Sequence, residues 1–429
     1  MRLISTRSSR HRSTFSEAVQ AGTAPDGGLY VPEPIPCFRD VDHLLAAPFL
    51  ERSTEILARI LGEEFSRDEL QAVVHSAFDF PLPLVELTPR LQVLELFHGP
   101  TLAFKDFGAR FLARMLALVT QREGGGLRTV LTATSGDTGA AAAHALWHVK
   151  GLRAVVLYPK GRISPLQEKL FTTLGDNILT YAVEGTFDDC QALVKGCFAD
   201  QGLAARLRLT SANSINIARI LAQSLYYFEA CAQLRARSFR DDPVFCVPSG
   251  NFGNLYAGLL AKSMGLPARG FIAATNLNRA VPDHLEQGTY TPRSAIPTVS
   301  NAMDVGDPSN WERIRHLFGD DLGRLRSALR WGSVDEAGTM KALWELRAQG
   351  YTADPHTAVA FGVLQEKLGL REGGVILSTA HPAKFQDVLQ RAMNLEVPLP
   401  PALEAVRELP VGSESLPVDL DTLKARLSA

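Results

Sequence analysis

Short apolar runs alternate with Gly/Ser/Thr/Asn loops and helix-like stretches along most of the chain. Three units repeat this order. Run 129–132 leads through loop 133–139 into the alanine-rich stretch 140–149, run 244–247 leads through 248–254 into 255–264, and run 375–377 leads through 378–382 into 385–393. Runs 154–157 and 271–275 have strand length, and 188–200 and 217–235 have helical length and spacing. This alternation predicts an α/β fold with parallel sheets covered by helices. Ligands of such sheets gather at the carboxyl ends of the strands, so the three strand-to-helix loops are the first candidates for a site.

The first 95 residues have a different texture. Pro25, Pro32, Pro34, Pro36, Pro81, Pro83 and Pro89 punctuate them, and two helix-like stretches, 40–62 and 68–78, lie between. They predict a separate N-terminal unit. The stretch after Leu395 carries Pro398, Pro400 and Pro401 and is expected to wrap the surface; Gly124, Gly125 and Gly126 form a flexible joint.

Composition narrows the function classes. The 429 residues are 46% hydrophobic and 21% charged, with a formal net charge of -2. That content supports two or three domains with substantial cores. No basic excess exists to drive nucleic-acid binding, and no apolar run approaches the roughly 18 residues of a membrane helix. Five scattered cysteines, without a Cys-x-x-Cys pair, read as free thiols of a reducing cytoplasm and give no metal site. His144 and His148 have helical spacing but no glutamate or third ligand in a zinc-protease pattern. Arg2, Arg7, Arg10 and Arg12 precede the first acidic residue, Glu17, a composition shared with organelle transit peptides.

Four segments carry candidate chemistry. Gly250, Asn251, Phe252, Gly253 and Asn254 form a loop at the start of a helix, where glycines admit close approach and free N–H groups attract an anion; the alternative is a helix cap without a ligand. Thr134, Ser135, Asp137 and Thr138 make a hydroxyl-rich loop suited to a carboxylate or phosphate, or again to capping. Lys105 lies among apolar residues that favour its amine form, as a Schiff-base lysine requires, unless its stem packs and its head reaches water. Ser214, Asn216 and Arg219 open a helix-like run, with Arg219 either a bidentate anion ligand or a surface residue.

Five motifs occur together: 98–108 (HGPTLAFKDFG), 133–139 (ATSGDTG), 213–219 (NSINIAR), 248–254 (PSGNFGN) and 378–385 (STAHPAKF). With the opening segment 14–36, the sequence resembles the threonine synthase family of pyridoxal-phosphate enzymes. These have fold type II, the tryptophan-synthase-β-like architecture. The resemblance covers nearly the whole chain, argues against a transit peptide, and points to the bacterial and fungal subclass. It implies two open sheet-plus-helix domains with the cofactor between them, plus an N-terminal domain. The expected division is 1–95 for the N-terminal domain, 96–125 with 205–429 for the large domain, and 126–204 for the small one.

The resemblance also implies roles. Lys105 is joined to pyridoxal 5'-phosphate, the 250–254 backbone holds the cofactor phosphate, and Thr379, neighbour of Ser378, offers its hydroxyl to the pyridine nitrogen. Thr134, Ser135 and Thr138 line the substrate, while Ser214, Asn216 and Arg219 hold its phosphate. Asp137 stands where many type II relatives carry an asparagine that donates to the cofactor's phenolic oxygen. An ionised carboxylate cannot donate, so Asp137 sits beside that oxygen, caps the helix or orients Thr138. The implied reaction turns O-phospho-L-homoserine and water into L-threonine and phosphate by γ-elimination and β-hydration, in the cytoplasm, by a monomer or homodimer. A phosphohomoserine lyase, a threonine or serine dehydratase and a non-catalytic pyridoxal-phosphate binder are the competing readings.

Overall fold

Three sheets organise the computed structural model, which describes residues 1–134, 136–237, 239 and 241–428. Strands β1 (Leu3–Ser5), β2 (Arg12–Ser13) and β3 (Tyr30–Pro32) pair antiparallel in the order β2-β1-β3. Strands β6 (Arg128–Ala133), β7 (Leu152–Pro159), β8 (Ile178–Val183) and β13 (Glu414–Leu416) form a parallel sheet, order β13-β8-β7-β6. The largest sheet is built from β4 (Leu84–Thr88), β5 (Leu91–Glu95), β9 (Val244–Pro248), β10 (Gly270–Thr275), β11 (Leu329–Ser333) and β12 (Gly374–Ser378). Its order is β11-β10-β9-β12-β5-β4, parallel except for β4.

Helices cover both faces of the parallel strands, as the alternation predicts. β9, β10 and β12 are buried along their whole length, which is why they read as continuous apolar runs. Helix Pro355–Lys367 packs across β9, β10, β11 and β12. Helix Lys105–Arg122 packs against both Asp137–Leu146 and Ile217–Ala236, so it joins the layers of the two parallel sheets. Lys105 is its first residue.

The structure redraws three expectations. Residues 84–95 were expected in the N-terminal unit, but β4 and β5 hydrogen-bond into the six-stranded sheet. Pro89 sits in the hairpin turn between them and marks no domain boundary. The proline-rich tail does more than wrap the surface. β13 adds an edge strand to β8, and helix Leu420–Ser428 packs against Phe187–Ala199, so the tail completes the smaller parallel sheet and does not belong wholly with the larger one. A three-residue strand beside proline has no legible periodicity. The helix-like stretch 40–62 divides into Val41–Ala46 and Phe49–Leu61, because Ala47 precedes Pro48 and takes an extended conformation.

The arginine-rich start is folded structure: Leu3 and Ile4 are buried and pair with β3. Arg313, 0% exposed, ties this sheet to the rest. Its Nε donates to Tyr30 O at 3.0 Å, Nη1 to Asn310 Oδ1 at 2.7 Å and Nη2 to Ile215 O at 2.6 Å. All five cysteines are free thiols. Among the described residues no helix is long and apolar enough to cross a membrane.

Candidate active site

Lys105 is placed by a stitched junction at the end of β12. Phe104 N donates to Thr379 O at 2.9 Å, and His381 N donates to Leu102 O at 3.0 Å. The turn before Lys105 folds against Asp106, whose oxygens accept Thr101 N at 2.9 Å and Thr101 Oγ1 at 2.6 Å. Gly99 permits this approach, since a Cβ there would lie 2.5 Å from Asp106 Oδ2. Burial pushes the Asp106 carboxyl up to about 6, against the pull of Thr101.

Asp137 opens helix Asp137–Leu146 without capping it. Its Oδ2 lies 3.8 Å from Lys105 Nζ, and its Oδ1 accepts from the fully buried Lys384. Burial would raise this carboxyl, but Lys384 and then Lys105 outweigh it and hold it at about 2. The Lys105 amine is drawn down to about 8, chiefly by burial, with Lys384 and Arg219 adding to the effect and Asp137 opposing it. A lysine drawn toward its neutral form is what nucleophilic chemistry requires.

The loop after β9 is shaped for an anion. A Cβ on Gly250 would meet Met303 Cα at 2.7 Å, so only glycine fits. Phe252 takes the left-handed region, φ 59°, rare for a bulky residue and characteristic of functional loops. None of the backbone N–H groups of Gly250, Asn251, Phe252, Gly253 or Asn254 donates to another described residue. Asn254 accepts from Tyr226 and Tyr227 at 2.6 and 2.8 Å, yet its buried Nδ2 has no partner among the described residues. The side chain of Asn251 donates to Ser214 Oγ at 2.7 Å and accepts from Ser309 N at 2.6 Å, drawing the predicted substrate segment onto the loop.

Arg219 is 1% exposed and has no ion pair among the described residues. Its Nη1 donates to Ala212 O at 2.5 Å, while Nε has no partner among the described residues. Burial lowers the guanidinium to about 10, still cationic at neutral pH.

Other predicted ligands differ in the protein partners they already hold. Thr134 is buried, and its Oγ1 accepts from Gly136 N at 3.0 Å and Gly139 N at 2.8 Å, which braces the loop. Asn216 is the N-cap of helix Ile217–Ala236. It accepts from Ala218 N and donates to Val19 O at 2.8 Å, so its amide is engaged within the fold. The Thr138 hydroxyl makes no hydrogen bond among the described residues, and Ser135 lies outside them. Ser378 and Thr379 now separate. Ser378 Oγ is bound to Thr357 Oγ1 at 2.8 Å and Tyr351 OH at 3.3 Å, whereas the Thr379 hydroxyl bonds no described residue.

Sequence reasoning missed three residues. Lys384 was inside a quoted motif, but nothing local marks a lysine as fully buried. Asn310, 0% exposed, presents an Nδ2 without a partner among the described residues, 3.2 Å from where a Gly253 Cβ would stand. Asp354 accepts from His356 Nδ1 at 2.7 Å and from Thr357, while His356 Nε2 accepts Ala302 N at 3.1 Å. Those contacts link the Ser378 side of the site to the segment packed on Gly250.

An amine near neutrality, a row of unpaired N–H groups and a free buried hydroxyl together fit a phosphorylated aldehyde such as pyridoxal phosphate. Comparison with known proteins agrees. Residues 81–380 match the family model of pyridoxal-phosphate dependent enzymes, residues 2–78 the threonine synthase N terminus, and residues 357–426 the threonine synthase C-terminal region. The chain is 48% identical to threonine synthase of Haemophilus influenzae, covering 100% of this chain and 99% of that protein. The crystal structure of threonine synthase from Escherichia coli is similar with a TM-score of 0.92 at 46% identity, covering 100% and 99% of the two chains. Threonine synthase from Brucella melitensis, solved with pyridoxal phosphate bound, gives 0.93 at 36% identity, covering 100% and 98%. The chain therefore belongs to the threonine synthase family of fold type II pyridoxal-phosphate enzymes.

Proposed function

We infer that the chain has threonine synthase activity, converting O-phospho-L-homoserine and water into L-threonine and phosphate with pyridoxal phosphate as cofactor. The observation that carries the substrate assignment is Arg219, a buried cation that makes no ion pair among the described residues and feels Asp106 only at a distance. A buried charge is costly until an anion meets it. A substrate phosphate supplies that anion in addition to the α-carboxylate that every amino-acid substrate carries, whereas a dehydratase substrate brings the carboxylate alone.

Each residue then has a task. The N–H groups of 250–254 hold the cofactor phosphate, with Asn254 Nδ2 and Asn310 Nδ2 as nearby donors. Thr379 directs its free hydroxyl to the pyridine nitrogen. When bound, the cofactor stores the electron pair released on the substrate carbons. The Lys105 amine takes the proton from the substrate Cα and moves protons at the neighbouring carbons as the Cγ–O bond to phosphate breaks and water adds at Cβ. Ser214 receives a hydrogen bond from Asn251, which leaves its own proton free for a substrate phosphate oxygen beside Arg219. Thr138 has a hydroxyl available to the substrate. The enzyme works in the cytoplasm, consistent with five free cysteines, as a monomer or homodimer that size-exclusion chromatography will distinguish.

Incubation of purified protein with O-phosphohomoserine tests this reading. Equal amounts of threonine and phosphate are expected. Phosphate with 2-oxobutyrate would make the chain a lyase, and cofactor binding without turnover would leave only a pyridoxal-phosphate binder.

A further inference from the structure

Lys384 belongs to the turn Pro382–Phe385 that follows β12, and its side chain is 0% exposed. Its Nζ donates to Asp137 Oδ1 and to Thr101 O at 3.0 Å. The other oxygen of Asp137 faces Lys105 at 3.8 Å. One carboxylate therefore lies between two lysines. The titratable and charged groups around this cluster are Arg219 from helix Ile217–Ala236, Asp106 and Arg110 from the helix of Lys105 itself, His356 from helix Pro355–Lys367, and His381 from the turn that carries Lys384.

Two protonated lysines and Arg219 would leave this buried cluster with excess positive charge. One lysine is better neutral. Lys384 is the one that keeps its charge, because it is in direct hydrogen-bond contact with the Asp137 carboxylate, and a charge-assisted contact of that kind favours the ammonium form. Among the described residues Lys105 has no such bonds, only the longer approach to Asp137.

We propose that Lys384 is a positioning residue for the reaction: it holds Asp137 in a charge-assisted pair, takes the charge that this carboxylate supports, and leaves Lys105 as the free amine. The aspartate found where many type II relatives carry asparagine then has an explanation, since the Asp137–Lys384 pair supplies the ammonium donor that a carboxylate lacks. This inference rests on Lys105 as the cofactor-binding lysine.

The test uses protein stripped of cofactor. Pyridoxal phosphate is added across a pH series, and the rate at which the visible band of lysine-bound cofactor forms is recorded. The rate rises as the Lys105 amine is freed, so its pH midpoint reports that group. Lys384→Met leaves Asp137 to pair with Lys105, and the midpoint is expected to move up by about one pH unit or more. Lys384→Arg keeps the charge and returns it toward the wild-type value. Asp137→Asn removes the only opposing charge in contact and moves the midpoint down, which carries the test if Lys384→Met does not fold. Midpoints that stay at the wild-type value in Lys384→Met and Asp137→Asn would overturn the role of Lys384 while leaving the reading of Lys105 intact. A wild-type protein that forms no band would overturn both.

Discussion

Asn251 and Ser214 meet at 2.7 Å with the amide as donor and the hydroxyl as acceptor. This contact couples the loop after β9 to the segment that opens helix Ile217–Ala236, and it fixes the direction in which Ser214 can donate. Removing the Ser214 hydroxyl should weaken substrate more than cofactor. For Ser214→Ala, KM for O-phosphohomoserine is expected to rise about 10-fold, the value of one hydrogen bond to a charged group. The affinity for pyridoxal phosphate, measured by spectral titration, should change less than threefold, a tolerance of about 0.6 kcal/mol.

Gly250 makes a different demand. A methyl group there would stand 2.7 Å from Met303 Cα and 3.0 Å from Ala302 O, both backbone atoms that cannot swing aside. Gly250→Ala is expected to displace the loop, cost about 1–3 kcal/mol of stability, and weaken cofactor binding. Chemical denaturation and cofactor titration check the two effects separately. Unaltered binding would show that the loop N–H groups do not hold the phosphate.

Lys105 begins a helix, and alanine is a good helix former, so Lys105→Ala should fold. Turnover should fall by about 10³-fold or more, as for loss of a general base, and the visible band should disappear while circular dichroism is retained. A persisting band would mean that another lysine carries the cofactor.

The residues that proved legible in the sequence are those whose chemistry is local. The 250–254 loop, Lys105 and the βα units are all announced by a few consecutive residues, because strands, caps and anion loops are short-range structures. Lys384 and Asp137 lie 247 positions apart, and Thr101 and Lys384 lie 283 apart. No spacing rule links them. Thr134 and Asn216 are ambiguous in the sequence for the converse reason. A hydroxyl or amide at a helix start serves a ligand or the helix itself equally well, and only the observed partners decide. The family resemblance supplied what periodicity could not, including the expected division into cofactor and substrate segments.

Ser378 and Thr379 are adjacent hydroxyls with opposite circumstances. Ser378 is bound to Thr357 and Tyr351, whereas Thr379 is 6% exposed and free of protein partners among the described residues. Thr379→Val should therefore change kcat and the absorption spectrum with little effect on thermal stability. Ser378→Ala should cost about 1 kcal/mol of stability and leave the spectrum close to wild type. Reversed results would exchange the two roles.

Arg219 gives a prediction in which stability and activity part company. The ligand-free protein carries its guanidinium in the interior with, among the described residues, one carbonyl partner and none at Nε, and Gly108 is pressed so close that an added Cβ would lie 3.2 Å from that nitrogen. Such a charge destabilises the empty site and is useful only when an anion arrives. Arg219→Met keeps most of the packed stem and removes the charge. Replacing a poorly compensated buried charge by an apolar side chain is often neutral or stabilising, by about 1–4 kcal/mol. The ligand-free variant is thus expected to melt at or above the wild-type temperature, with its cofactor band intact, while kcat/KM for O-phosphohomoserine falls by about 100-fold or more, corresponding to roughly 3 kcal/mol. Phosphate protection against thermal unfolding should vanish in the same variant. A protein that loses stability in step with activity would show instead that Arg219 is a structural cation and that the substrate phosphate is held elsewhere.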